Sequence, residues 1–198
     1  MNHPLAETLL GLCLGLGLSA GCGFRVFLPL LVLSLASLSG HLTLAPGFSW
    51  IGSYPALVTF SVATVLEVAG YYIPWVDHFL DTIASPAAVI AGTLVTASLV
   101  TDVSPLVKWS LALIAGGGIA GAVQGTTVLA RGVSLAGTGG LANPVVATIE
   151  LAGSLLTSIL ALLAPFFVVA AIVVLVVVLG VRAWRRRAAP PPSPASIC

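Results

Sequence analysis

Apolar residues fill most of this chain in long runs, and the polar interruptions mark out its elements. Residues 5–39 are almost all apolar, a longer run than the about 20 residues that one upright bilayer crossing needs. Gly21, Gly23, Arg25 and Pro29 interrupt it, so the pattern predicts a long tilted or broken helix. Residues 40–53 read as a loop, because His41, Pro46, Gly47 and Gly52 break the periodicity. Trp50 and Tyr54 suit a membrane–water interface. A second span follows over 55–73 and stops before Pro74.

Residues 74–84 carry a different pattern. On a wheel of ~100° per residue, Trp75, Phe79, Ile83, Val76 and Leu80 fill one arc, and Asp77, Asp81, Ser85 and His78 fill the opposite one. Pro74 suits a first helical turn. The pattern predicts a short amphipathic helix lying in the interface.

Residues 86–100 form a short third span; Asp102, Ser104, Pro105 and Lys108 form a turn; a fourth span covers 109–131. The glycine-rich stretch 132–142 reads as a loop, closed by Asn143 as N-cap and Pro144 as first helical residue. Residues 145–181 again exceed one crossing, and a break near Pro165 gives a fifth and a sixth span. Arg182, Arg185, Arg186 and Arg187 open a proline-rich tail of disordered composition. The expected fold is therefore all-α: a polytopic transmembrane bundle of about six spans in one domain, residues 1–181, with a tail over 182–198. Arginine-rich flanks stay cytoplasmic. That rule puts Arg131 and both termini inside, with Asp102 and Lys108 outside.

Composition supports this class. Of 198 residues, 59% are hydrophobic and 7% charged, against about 25% charged in ordinary soluble domains; mean hydropathy is +1.16. A soluble fold could not cover so much apolar surface, so the lipid bilayer is the expected surrounding. The net charge of +1 provides no basic field for nucleic acid. Cys13, Cys22 and Cys198 form no C-x-x-C pair, so neither zinc nor redox chemistry is indicated. The start of the chain lacks the positive segment of a cleaved signal peptide. Leu18–Cys22 only superficially matches a lipoprotein box.

Two stretches echo each other. Thr64-Val65-Leu66-Glu67-Val68-Ala69-Gly70 resembles Ala147-Thr148-Ile149-Glu150-Leu151-Ala152-Gly153, and each follows a proline that opens its span (Pro55, Pro144). Gly17, Gly21 and Arg25 echo Gly117, Gly121, Gly125 and Arg131. Halves of three spans each, 5–100 and 109–181, would form an inverted repeat of the kind found in transporters.

Ionisable groups inside spans are costly, so each is a functional candidate. Glu150 shares a polar stripe with Ser154, Thr157 and Ser158. That stripe suits a proton or cation site, and equally a glutamate held near a helix start by the dipole. Glu67 must be paired or protonated; Arg25 and Arg131 are the available partners, whether for a structural tie or a transport site. Asp77, His78 and Asp81 put three ligand types on one face, but a closed metal site needs more, so neither metal nor cofactor is expected. Gly11, Gly15, Ser19 and Gly23, with Gly117, Gly121 and Gly125, indicate close helix packing, within the chain or in a homodimer. His3 and His41 read as exposed loop residues.

With these residues identified, the chain resembles a family of bacterial membrane proteins catalogued only as a domain of unknown function (number 4126). The likeness rests on Gly23-Phe24-Arg25-Val26-Phe27-Leu28-Pro29-Leu30-Leu31, on Glu67 followed by Ile73-Pro74-Trp75-Val76-Asp77-His78, and on Gly139-Gly140-Leu141-Ala142-Asn143-Pro144 with Glu150. It covers roughly residues 8–164, and departs at Tyr71-Tyr72, where the family leads one to expect charge. It implies a helical domain of a bacterial inner membrane and no assigned activity.

Three functions follow as expectations. The first is a small carrier or channel for a cation, proton or small solute, with Glu67 and Glu150 handling the ion and Arg25, Arg131, Asn143 and Ser154 around them. The second is a non-transporting scaffold acting through glycine packing. The third, a membrane enzyme using Asp77, His78 and Asp81 on a lipid-borne substrate, has only their location behind it.

Overall fold

The computed structural model describes residues 4–73 and 76–188; the side chains of residues 4, 5, 78, 175, 176, 179, 180 and 182–188 lie outside that description. The described chain is helical: α1 (Pro4–Phe24), α2 (Phe27–Leu38), a 3-10 turn (Ser49–Gly52), α3 (Tyr54–Tyr71) and α4 (Val76–Leu99). Next, α5 (Pro105–Leu111) runs through a π-helical segment (Ala112–Gly117) into α6 (Gly118–Thr138), followed by α7 (Asn143–Leu163) and α8 (Pro165–Ala188). Among the described residues, five stretches are long and apolar enough to cross a membrane: Ala6–Phe24, Tyr54–Tyr71, Phe79–Leu99, Pro105–Thr138 and Asn143–Leu163. This is the make-up of a multi-pass membrane protein. Phe27–Leu38 and Pro165–Val174 are apolar but shorter.

The run 5–39 does break, and the break is at Arg25. Helix α1 ends at Phe24 and α2 starts at Phe27. The loop after α2 returns to the far end of α4, where Ala45 N–H donates to Ser98 O at 2.7 Å. At that same end Thr8 Oγ1 donates to Thr101 O at 3.2 Å. Residues 5–39 therefore form two antiparallel helices, and the start of α1 shares an end with Asp102. The sequence pattern sets them at opposite ends, and the return helix α2 makes the difference.

Residues 76–84 do not form a separate short helix, and Pro74 and Trp75 lie outside the described residues. Residues 76–84 are the first turns of α4, which continues past Pro86. The physical reason lies in the inner face of α4. Ala84, Ala88, Ala91 and Val95 are buried along it, and Asp77 and Asp81 prolong that stripe by whole turns. Asp77 and Asp81 therefore turn into the bundle, while Phe79, Ile83 and Ile90 face outward. The expected loop 132–142 is likewise mostly helix. α6 continues to Thr138 and ends at Gly139 in the left-handed conformation (φ 62°), a C-terminal stop that glycine adopts without strain. Pro165 does separate α7 from α8.

Helix α1 lies in the middle, packed against α4, α6, α7 and α8. Its glycines make this possible: a Cβ on Gly15 would lie 2.9 Å from Thr96 Cα, and one on Gly23 would lie 2.5 Å from Ala120 O. Without side chains at these positions the backbones meet directly, which is how apolar helices associate when lipid competes equally for side chains. Gly11 meets Leu99, and Gly117 meets Thr93 and Val89 of α4, so these expected packing glycines act inside the chain. Gly121 meets only Val89, at 3.1 Å, and Gly125 faces open space.

Candidate functional site

Where α1 breaks, its buried tip meets the polar ends of four other helices. Arg25 is 1% exposed. It donates from Nη2 to Ala147 O at 2.8 Å, and the same nitrogen lies 3.4 Å from Glu150 Oε2. Arg131 of α6 grips Glu150 with both arms of its fork. Nε donates to Oε1 at 3.0 Å, and Nη2 donates to Oε2. Two guanidiniums thus share one carboxylate, and the paired geometry with Arg131 is the strong, planar form of such a bond.

Tyr71 completes the centre. Its ring is 4.0 Å from the guanidinium carbon of Arg25 and 4.0 Å from that of Arg131, within cation–π range for both. Its position in the last turn of α3, one turn after the buried Glu67, puts both on the inner face. The expectation of charge at this position was answered by an aromatic ring stacked on charges supplied by other helices.

The two glutamates separate here. Glu67 was expected to pair with Arg25 or Arg131. Its hydrogen bonds come from elsewhere: Oε1 accepts from Val26 N–H at 2.7 Å, and Oε2 from Phe27 N–H at 3.1 Å. These are free backbone donors at the start of α2, whose residue at the cap position, Val26, offers no side-chain cap. A carboxylate from α3 therefore caps α2 from outside, satisfying N–H groups that would otherwise be orphaned in an apolar interior.

Helix α4 brings its two aspartates to the same place. Asp77 is buried, and Asn143 Nδ2 donates to its Oδ2 at 2.6 Å. Asp81 Oδ1 stands 3.6 Å from Arg131 Nε. Asn143 is thus not the N-cap of α7: the helix begins on it, Ala142 stands before it, and its amide is spent on Asp77. His78, the third member of the expected polar face, has its side chain outside the described residues. The reading of this face as an interfacial surface is overturned, since the aspartates belong to the interior cluster.

Further along α7, Ser154 Oγ donates to Gly21 O at 3.0 Å. Thr157 turns to its own helix backbone. Ser158 is buried beside Gly21 without a hydrogen-bond partner. Helix α6 adds Gln124, Thr127 and Ser134, which the sequence reading missed, buried in one stripe with Arg131. Their spacing of three and four residues is helical and was open to inspection. His41 is exposed, as expected, and bonds Ser39.

The cluster brings together Arg25, Glu67, Asp77, Asp81, Arg131, Asn143 and Glu150, and holds Ser154 one turn away. Among the described side chains it sets four carboxylates against two guanidiniums. Several polar atoms in it are buried and unpartnered: Arg25 Nε and Nη1, Arg131 Nη1, Asp81 Oδ1 and Asn143 Oδ1. Among the described residues, no group of three or more His, Cys, Asp and Glu converges as a metal site would require.

A family model described as "Domain of unknown function (DUF4126)" matches residues 12–186. The match includes the last apolar helix, which the sequence resemblance left outside. Comparison with curated proteins and with solved structures finds no match.

Proposed function

The chain belongs to the DUF4126 family, whose description assigns no activity, and from its own geometry we propose a small membrane carrier or channel for a proton or small cation. The observation that carries this reading is the buried excess of carboxylate. Four acidic side chains gather around two arginines, and Arg25, Arg131, Glu67, Asp77 and Glu150 are all less than a tenth exposed. Unbalanced negative charge inside an apolar bundle is expensive, and a bound cation or proton relieves it. Intramembrane ionisable groups that are not balanced by one another mark ion pathways.

In this reading the end carrying Arg131 faces the cytoplasm by the positive-inside rule, and the start of α1 faces the opposite side. The echo between the Glu67 and Glu150 segments fits an inverted repeat of the two halves. The protein would lie in a cell membrane.

The test is ion flux into liposomes containing the purified protein, read with interior pH, sodium and potassium indicators under an imposed potential. Wild type should pass one of these ions, and Glu150→Gln should lower that flux about tenfold or more. Equal flux in empty and loaded liposomes for every ion would remove the proposal.

One observation favours a second reading, a scaffold or homodimer. Gly118, Gly125 and Gly132 recur every seventh residue along α6, and nothing lies within 4 Å of where a Cβ on each would point. A partner helix could approach closely there. Gly125→Leu should then abolish dimer formation in membrane crosslinking. Gly117 and Gly121 do not bear on this reading, because both face α4 of the same chain.

A further inference from the structure

We propose that Asp81 is the proton-binding group of the cluster, so that the ion handled here is a proton rather than a metal cation. The inference rests on the carrier or channel reading above and names its substrate. It begins from the state of each carboxylate oxygen. Both oxygens of Glu67 accept backbone N–H bonds. Both oxygens of Glu150 accept from Arg131. Asp77 Oδ2 accepts from Asn143. Asp81 accepts a hydrogen bond from the Tyr71 hydroxyl, but its Oδ1 is buried and accepts none, with Arg131 Nε 3.6 Å away.

A hard cation needs about six oxygen ligands around it, and the engaged oxygens of Glu67 and Glu150 cannot be gathered without breaking α2's cap or the arginine clamp. A proton needs one oxygen. Access points to the same residue. The Asp81 side chain is 19% exposed, while that of Glu150 is 4% exposed and that of Arg131 5%. Asp81 is therefore the least enclosed side chain of this triad, with its Oδ1 turned inward.

The groups that surround Asp81 come from four helices. Asp77 lies on its own helix, with His78 outside the described side chains. Tyr71 comes from α3, Arg131 from α6 and Glu150 from α7, and Glu67 and Arg25 stand next to Tyr71. The step balances with hydronium as the donor: one O–H bond of hydronium breaks as the Asp81 O–H bond forms, leaving a water molecule and the neutral acid. Ionised, Asp81 pulls on Arg131 Nε from 3.6 Å; neutral, it leaves Arg131 wholly to Glu150. Each proton taken up or released thereby changes how firmly α6 is tied to α4 relative to α7.

The test pairs proton flux with infrared difference spectroscopy of the purified full chain, titrated across neutral and acidic pH. In wild type a protonated-carboxyl band should grow with acidification; it should vanish in Asp81→Asn and persist in Glu150→Gln. Proton flux should fall about tenfold or more in Asp81→Asn and recover in Asp81→Glu. A band that survives in Asp81→Asn, or no titrating band in wild type, overturns the assignment. So does sodium or potassium flux unaffected by Asp81→Asn, an outcome that still leaves the carrier reading standing. Absence of all flux alongside a band lost in Asp81→Asn would remove the carrier reading and keep the proton site. If Asp81→Asn does not fold, the wild-type band together with Asp81→Glu, which should move its titration, decides the question.

Discussion

Glu67 and Glu150 sit in closely similar peptides, each a lone glutamate followed by an aliphatic residue, alanine and glycine, yet the bundle gives them different work. Glu67 holds backbone: it accepts from Val26 and Phe27 and finishes the first turn of α2. Glu150 holds charge: it accepts the fork of Arg131 and has Arg25 at 3.4 Å. The difference teaches that a buried carboxylate is assigned by its nearest unsatisfied donors. At the α1–α2 break those donors are peptide N–H groups exposed by a chain reversal. Seven residues into α7 they are guanidiniums supplied by α6 and by that same reversal.

The comparison can be broken most forcefully at Glu150. Glu150→Ala leaves two buried guanidiniums without their shared partner, and losing one member of a buried pair costs about 3–5 kcal/mol. Thermal unfolding in detergent should show the largest drop of any single variant here. A loss under about 1 kcal/mol would mean that water already solvates the arginines. Tyr71→Leu removes the ring between the two guanidiniums and should cost about 2 kcal/mol, from two cation–π contacts, while Tyr71→Phe should stay close to wild type. Comparable losses in both variants would assign the effect to the hydroxyl instead.

Glu67→Gln keeps one acceptor but gives up the charge-assisted cap, for about 1–2 kcal/mol. Its sharper readout is hydrogen exchange. Amides at Val26 and Phe27 should exchange faster, while those of α7 around Glu150 stay protected. Faster exchange in both places would show that the two glutamates form one unit. Ser154→Ala, which removes the bond to Gly21 O, should have the smallest effect, about 1 kcal/mol. It should leave ion flux unchanged if the serine only packs α7 on α1.

Hydrophobic runs and their interruptions determined, without the structure, that the chain is helical and membrane-spanning. A run of apolar residues with few charges can satisfy its backbone in lipid only as helix. The same runs located the break at Pro165 and left that of residues 5–39 among Gly21, Gly23, Arg25 and Pro29, and the cost of buried charge singled out Arg25, Glu67, Arg131 and Glu150. The face that α4 presents was not legible locally. Asp77 and Asp81 suit an interface as well as an interior, and only the continuous inner stripe through Ala84 and Ala88 decides between them. The partner of each charge was equally out of reach. Pairing joins Val26 to Glu67, Arg25 to Glu150 and Asp77 to Asn143 across separations of 41, 125 and 66 residues. Which donors stand unsatisfied beside a carboxylate depends on where helices cross, and that is set by packing over the whole bundle.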